Sequence, residues 1–254
     1  MSMRLESKSV VVTGASSGMG KAIVELFVRE GAKVVAVARR KERLEELAAS
    51  LADAPGEVIV YQGDVTKEEV NEAMIDCAVE KFGKLDVLIN NAGMMDDMAP
   101  IGEMSDDRLQ KVYALNVFGP AYAMRKAVNV FLAQESGGSI INVASLGCVK
   151  VVAGPVYCSS KAALVSMSKN TAFMYMPQKI RVNVVAPGGI ATEISSSMGM
   201  PNMGGYARVQ KVLAAAPEVG KAEDVAAAAL FFASDDSSYI SGDVMYVDGG
   251  WNAG

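Results

Sequence analysis

The chain reads as a single α/β domain in which one parallel sheet of seven strands carries helices on both faces, a three-layer sandwich. Three observations lead there. Short apolar runs alternate with longer segments of helical period from one end to the other, the pattern of repeated βαβ units. The apolar runs are rich in Val and Ile without strict alternation, as strands buried on both faces are. The 254 residues, 51% hydrophobic, suffice for a large core around one sheet, and no linker interrupts the pattern.

In order, strands are expected at 8–13, 33–38, 57–61, 85–90, 138–144, 180–186 and 242–247, and helices near 18–30, 40–52, 67–82, 105–134, 156–176 and 222–234. Within the second helix, Leu44, Leu47 and Leu51 fall on one face. The stretch from 190 to 212 differs: it holds Ser195, Ser196 and Ser197, three methionines, Pro201 and a Gly pair, with no clear period. It is expected to be a long loop acting as a substrate lid.

Bulk properties narrow the function. With 21% charged residues and a net charge of −5, nucleic acid is not an expected partner. No apolar run approaches the roughly 20 residues of a membrane span, no apolar stretch follows a basic start, and a cytoplasmic location is expected. Cys77, Cys148 and Cys158 fit neither a zinc site nor a disulfide framework, and no metal is expected. The chain has no histidine, which removes a Ser–His–Asp triad, a Cys–His dyad and HExxH zinc chemistry together. Acid–base work falls to Tyr, Lys, Asp, Glu or Cys.

Thr13-Gly14-Ala15-Ser16-Ser17-Gly18-Met19-Gly20 follows the first strand and opens the first helix. Glycines there permit a tight turn and close backbone approach, while the helix N-terminus offers free N–H groups to a pyrophosphate. At the end of the second strand, a carboxylate would bond a ribose 2′-OH and repel a 2′-phosphate. Here stand Ala38, Arg39 and Arg40, and a guanidinium holds phosphate bidentately, so NADP is expected over NAD.

The sequence resembles the short-chain dehydrogenases/reductases over essentially its whole length. The resemblance rests on that glycine-rich turn, Asp64-Val65, Asn90-Asn91-Ala92-Gly93, Asn116, Ser145, Tyr157 with Lys161, Pro187-Gly188 with Thr192, and Asp248-Gly249-Gly250, in this order. It is similar to the branch of about 250 residues that includes 3-oxoacyl-carrier-protein reductases and hydroxysteroid dehydrogenases. The resemblance implies a Rossmann-type domain over 1–254. It also implies that Asp64 and Val65 hold the adenine, Asn90 and Ala92 line the cofactor groove, Ile190 and Thr192 meet the nicotinamide amide, and Asn116 relays protons through water and Lys161. Read alone, Asp64 could cap the following helix, Asn90-Asn91 could be a turn, and Asp248-Gly249-Gly250 reads as a structural turn.

Tyr157 and Lys161 stand four apart and share one helix face. A free tyrosine has a pKa of about 10, and moving it near 7 takes ~4 kcal/mol of phenolate stabilisation, which a neighbouring ammonium in a dry site can provide. Tyr157 would then act as general acid/base at a carbonyl oxygen, and Ser145, at the end of the preceding strand, would stabilise the developing alkoxide. Alone, Tyr-x-x-x-Lys is a common surface pair and Ser145 an ordinary strand-end serine. Their place beyond the carboxyl end of a parallel strand is where such sheets put ligands. Ser145 and Tyr157 are 12 apart, one fewer than the family spacing, which bears on pocket shape.

The expected pocket walls are Met94, Met95, Met98, Val149, Val151, Val152, Met198, Met200 and Met203, suited to a lipophilic ketone or secondary alcohol. The expected reaction is therefore NADP-dependent hydride transfer to or from such a substrate. A 3-oxoacyl thioester reductase is the alternative, weakened by the absence of basic residues around Gln134-Glu135-Ser136 and Phe173-Met174-Tyr175-Met176. A non-catalytic NAD(P)-sensing protein is the other. Phe118, Tyr122 and Phe131, with Phe173 to Met176, suggest a homodimer or homotetramer interface.

Overall fold

The computed structural model of the chain describes residues 3–254. Strands β1 (Ser9–Thr13), β2 (Lys33–Ala38), β3 (Glu57–Gln62), β4 (Val87–Asn90), β5 (Gly138–Val143), β6 (Ile180–Pro187) and β7 (Val244–Val247) form one sheet in the order β3-β2-β1-β4-β5-β6-β7. All neighbours are parallel, as expected. The chain winds outward from β1 to β3, then returns to the other side of β1 as β4. At that switch point adjoining connections diverge to opposite faces, leaving a crevice at the carboxyl ends of the strands.

Val10 and Val12 of β1 pack into the core on one face, with α1 (Gly18–Arg29), α2 (Lys41–Ser50) and α8 (Ala222–Ala233). Val11 packs into the core on the other, with α3 (Glu68–Phe82), α5 (Gly119–Gln134) and the end of α6 (Pro155–Met174). Because side chains alternate across the sheet, all three valines are fully buried only if both faces are covered. Each contributes about 1.5–3 kcal/mol before conformational entropy is charged against it.

Two expectations of regular structure change. The helix expected across 105–134 is α4 (Asp106–Tyr113), a π-helical turn (Ala114–Phe118) and then α5. That bulge, a feature that often marks functional sites, brings Asn116 inside the protein with no solvent exposure. The stretch 190–212 is not an aperiodic loop. It contains a 3₁₀ turn (Glu193–Ser197) and α7 (Met203–Leu213), whose first turn is capped by the Asn202 side chain accepting from the Gly205 N–H at 2.9 Å. The second glycine of the pair that read as loop is a packing requirement, since a Cβ on Gly205 would lie 1.8 Å from the Met98 carbonyl oxygen. Among the described residues, no helix is long and apolar enough to cross a membrane.

Candidate active site

The switch point is stitched shut beneath its floor. Thr13 Oγ1 accepts from the N–H groups of Asn91 (3.0 Å) and Ala92 (3.1 Å), and Asn91 Nδ2 donates to the Thr13 carbonyl at 2.9 Å. The glycine-rich turn presses on this floor. Gly14 has φ +68, and a Cβ there would come within 2.9 Å of Ala92 Cα. A Cβ on Gly20 would lie 2.3 Å from the Gly14 carbonyl oxygen, so side chains at either place would fill or lift the cradle.

Above the floor runs a groove of about 710 Å³. Gly14, Ser16, Ser17, Gly18 and Met19 line its β1 side, Arg39 and Arg40 its end at β2, Asp64 and Val65 its wall after β3, and Ala92, Gly93 and Thr192 its inner end. The floor that admits no Cβ and the start of α1, whose Ser17 makes no side-chain cap, fit the pyrophosphate of a dinucleotide.

Some expected groove residues sit elsewhere. Asn90 is buried between β4 and β5, donating from Nδ2 to Asn142 Oδ1 at 2.9 Å, so its neighbour Asn91 lines the groove instead. Strand alternation turns successive asparagines opposite ways. Gly20 lies under the turn. Asp64 lines the groove and accepts from the Thr66 N–H at 3.1 Å in a local turn, but it does not cap the following helix, whose N-cap is Lys67 with no side-chain bond. Asp248 accepts from the N–H groups of Gly250 (3.0 Å) and Asn252 (2.7 Å), the structural turn expected.

A second cavity of about 200 Å³ adjoins the groove, sharing Met19, Asn91, Gly93 and Thr192 with it. Ser145, Tyr157 and Lys161 meet here with Pro187, Gly188 and Ile190. Tyr157 and Lys161 are 6% and 2% exposed, so this is a dry site. Met95 and Val152 line the cavity and Met94 faces the groove, while Met98 is buried in one cluster with Tyr157 and Met198 packs against that cluster without lining the cavity. Met200, Met203, Val149 and Val151 are exposed apolar side chains rather than walls. Leu213 and Trp251 are walls with no signal in the sequence, brought in by α7 and the chain's last turn.

Burial pushes the Tyr157 phenol up to about 12, opposed only in part by its hydrogen bond with Ser145. The same burial brings the Lys161 ammonium down to about 8. The expectation that a neighbouring Lys161 ammonium in a dry site brings the Tyr157 phenol down is not met. The ammonium is 5.8 Å from the ring centroid and donates to the Val143 carbonyl at 2.9 Å, and both charges are disfavoured by the same dry pocket.

Asn116 binds across the bulge rather than within its own turn. Its Oδ1 accepts from the Met94 N–H at 2.9 Å, and its Nδ2 donates to the Met94 carbonyl (2.9 Å) and to Ser160 Oγ (3.1 Å). Both amide hydrogens are therefore committed. Its Oδ1 and the Lys161 ammonium lie 3.4 and 3.3 Å from where a Cβ on Gly93 would stand, so a side chain there would crowd both.

Two participants were not legible in the sequence. Asp96, 1% exposed, accepts at Oδ1 from Gly154 N–H (3.0 Å) and Met98 N–H (3.1 Å), and at Oδ2 from Tyr157 N–H (2.9 Å). It thus caps the catalytic-candidate helix α6 from a distant loop, with the favourable charge for a helix N-terminus. Glu193, beside Thr192, faces Arg40 and Arg43 across the groove mouth.

A nucleotide groove opening onto a buried Ser–Tyr–Lys cluster at the carboxyl edge of a parallel sheet defines an NAD(P)-dependent oxidoreductase of CH–OH and C=O groups. Residues 14–252 match the family model described as enoyl-(acyl carrier protein) reductase. The chain is 40% identical over 250 residues to 3beta-hydroxysteroid dehydrogenase 2 of Eggerthella lenta, covering 98% of this chain and 96% of that protein. It is 36% identical over 249 residues to the 3-oxoacyl-(acyl-carrier-protein) reductase FabG of Thermotoga maritima, covering 98% and 99%. A short-chain type dehydrogenase/reductase from Mycobacterium marinum superposes with a TM-score of 0.89 at 29% identity, covering 100% and 98%. Levodione reductase superposes with a TM-score of 0.89 at 31% identity, covering 98% and 99%. The chain belongs to the short-chain dehydrogenase/reductase family.

Proposed function

We propose that the protein is an NADP-preferring reductase of a lipophilic ketone, with Tyr157 as the proton donor. The observation that carries the reaction is the burial of Ser145, Tyr157 and Lys161 together where the groove meets the smaller cavity. A bound nicotinamide supplies the hydride. Ser145 Oγ, which lines the same cavity as the Tyr157 phenol, stabilises the carbonyl oxygen as it becomes an alkoxide, and Tyr157 gives that oxygen its proton. Burial holds the phenol neutral, so Tyr157 carries the proton that the carbonyl oxygen takes up in reduction, and the same group takes it back in oxidation. Lys161 restores the proton balance from behind, and Asn116 keeps Met94 and Ser160 aligned with it.

Support for NADP is the pair Arg39 and Arg40 at the groove's end, with Arg40 Nη2 donating to Ser16 Oγ (3.0 Å) and Ser17 Oγ (2.7 Å). Support for a lipophilic substrate is the largely apolar cavity lining, with Met19, Met95, Leu146, Val152 and Leu213, and the hydroxysteroid dehydrogenase named among the relatives. A cavity of about 200 Å³ holds the reacting end of such a molecule. The match to a carrier-protein reductase favours a 3-oxoacyl thioester as the second reading. The exposed apolar Phe118, Phe173, Met174 and Met176 support assembly into a dimer or tetramer, and a cytoplasmic setting agrees with three free thiols.

Titration of the protein with NADPH and NADH, followed by consumption of each with cyclic ketones and with 3-oxoacyl thioesters, tests the reading. Wild-type turnover that Tyr157→Phe abolishes while NADPH still binds supports it, and Arg39→Ala should weaken NADPH selectively. Unchanged turnover in Tyr157→Phe, or tighter NADH binding, would overturn the corresponding part.

A further inference from the structure

The end of the groove at β2 already contains an anion, and that anion belongs to the protein. Glu193 opens the 3₁₀ turn after β6, and its Oε2 accepts from Arg40 Nη1 at 3.0 Å and from Arg43 Nη1 at 2.9 Å, with Oε1 also 2.9 Å from Arg43 Nη1. Arg40 directs its remaining donors, Nε and Nη2, at Ser16 and Ser17 of the glycine-rich turn. These two guanidiniums hold the Glu193 carboxyl below the usual carboxylate range, so it is ionised at neutral pH. Arg40, Ser16, Ser17 and Glu193 all line the same groove.

We propose that Glu193 is a cofactor-specificity residue: its carboxylate competes with the 2′-phosphate of NADP(H) for Arg40 and Arg43, drawing the enzyme's preference back toward NAD(H). The inference rests on the reading that this arginine cluster receives the 2′-phosphate. With Glu193 in place, two cations are half neutralised before any cofactor arrives. A 2′-phosphate must displace the carboxylate or share the arginines with it at close range, and either lowers its net gain. A ribose 2′-hydroxyl carries no charge and meets no such competition. Because the same 3₁₀ turn carries Ser197, whose Oγ accepts from the Met95 N–H at 3.0 Å, displacement of Glu193 also loosens one attachment of the segment leading to α7.

The test measures dissociation constants of NADPH, NADH, adenosine 2′,5′-bisphosphate and adenosine 5′-monophosphate for wild type, Glu193→Gln, Arg40→Ala and the double variant. Glu193 is exposed, and the pair is worth what exposed ion pairs are worth, so Glu193→Gln should tighten NADPH and the bisphosphate roughly fivefold. NADH and the monophosphate should stay within about twofold, no gain should appear in the Arg40→Ala background, and the gain should shrink at about 1 M salt. An equal change for NADH, no gain, or weaker NADPH binding in Glu193→Gln overturns the proposal while leaving the phosphate site standing, provided Arg40→Ala still loses NADPH. If Arg40→Ala binds NADPH as wild type does, Arg40 does not hold the 2′-phosphate and the proposal falls, whereas the phosphate reading falls only if Arg39→Ala is silent as well.

Discussion

Removing Asp96 should unfasten Tyr157 from its place without touching any reacting atom. The carboxylate satisfies three buried N–H donors, on Gly154, Met98 and Tyr157, at 2.9 to 3.1 Å. Hydrogen bonds to charged groups contribute about 1.5–3 kcal/mol each, so Asp96→Ala forfeits several kcal/mol of gross interaction. Water entering the vacated space returns part of it, leaving a net cost of about 3–5 kcal/mol, at the upper end for one substitution. Asp96→Asn keeps one oxygen for Gly154 and Met98 but turns an NH₂ toward the Tyr157 N–H, and should cost about 2 kcal/mol. Urea unfolding followed by the single tryptophan, Trp251, measures both, and the order Ala worse than Asn worse than wild type is required. Since Tyr157 is the third residue of α6, fraying its first turn moves the phenol relative to Ser145. In each variant kcat should therefore fall at least tenfold while KM for the ketone changes less, the signature of a positioning residue. A loss below about 1 kcal/mol in Asp96→Ala, or a normal kcat, would refute the argument.

Stability should also rise with pH across the range where Lys161 discharges. Its fall from 10.5 to about 8 means the folded state disfavours the ammonium. The stabilisation is complete above about 10.5 and is lost as pH drops through about 8, roughly 3 kcal/mol in all. Tyr157 acts oppositely: its contribution is whole below 10 and is lost as pH rises through about 12. Thermal midpoints of the cofactor-free protein should climb between about pH 8 and 10, and Lys161→Met should flatten that climb; a wild-type curve already flat there would contradict the burial argument. Gly205→Ala, with its Cβ 1.8 Å from the Met98 carbonyl, should push α7 off the loop after β4. An overpacking cost of about 1–3 kcal/mol and a raised KM for the ketone are expected, and wild-type values for both would show that α7 does not close the cavity.

The sequence by itself determined the sheet, because valine-rich runs buried on two faces leave little choice but parallel strands under helices. All seven strands fall where the apolar runs put them, with ends differing by at most two residues. Ser145, Tyr157 and Lys161 were singled out by the family resemblance and by their place beyond a parallel strand, and the structure brings the three to one cavity. What the sequence hid were contacts between distant segments. Gly204 and Gly205 read as loop because sequence shows no neighbour, yet Met98 is the neighbour that requires glycine at 205. Asn90 was expected in the groove and Asn91 is there, because alternation at a strand end depends on where pairing stops. Asp96 and Glu193 look like any surface acids until folding brings one under α6 and the other between two arginines. The Tyr157 pKa ran opposite to the four-residue rule for the same reason: proximity to a lysine is written in the chain, whereas burial deep enough to weaken both charges is a property of everything packed around them.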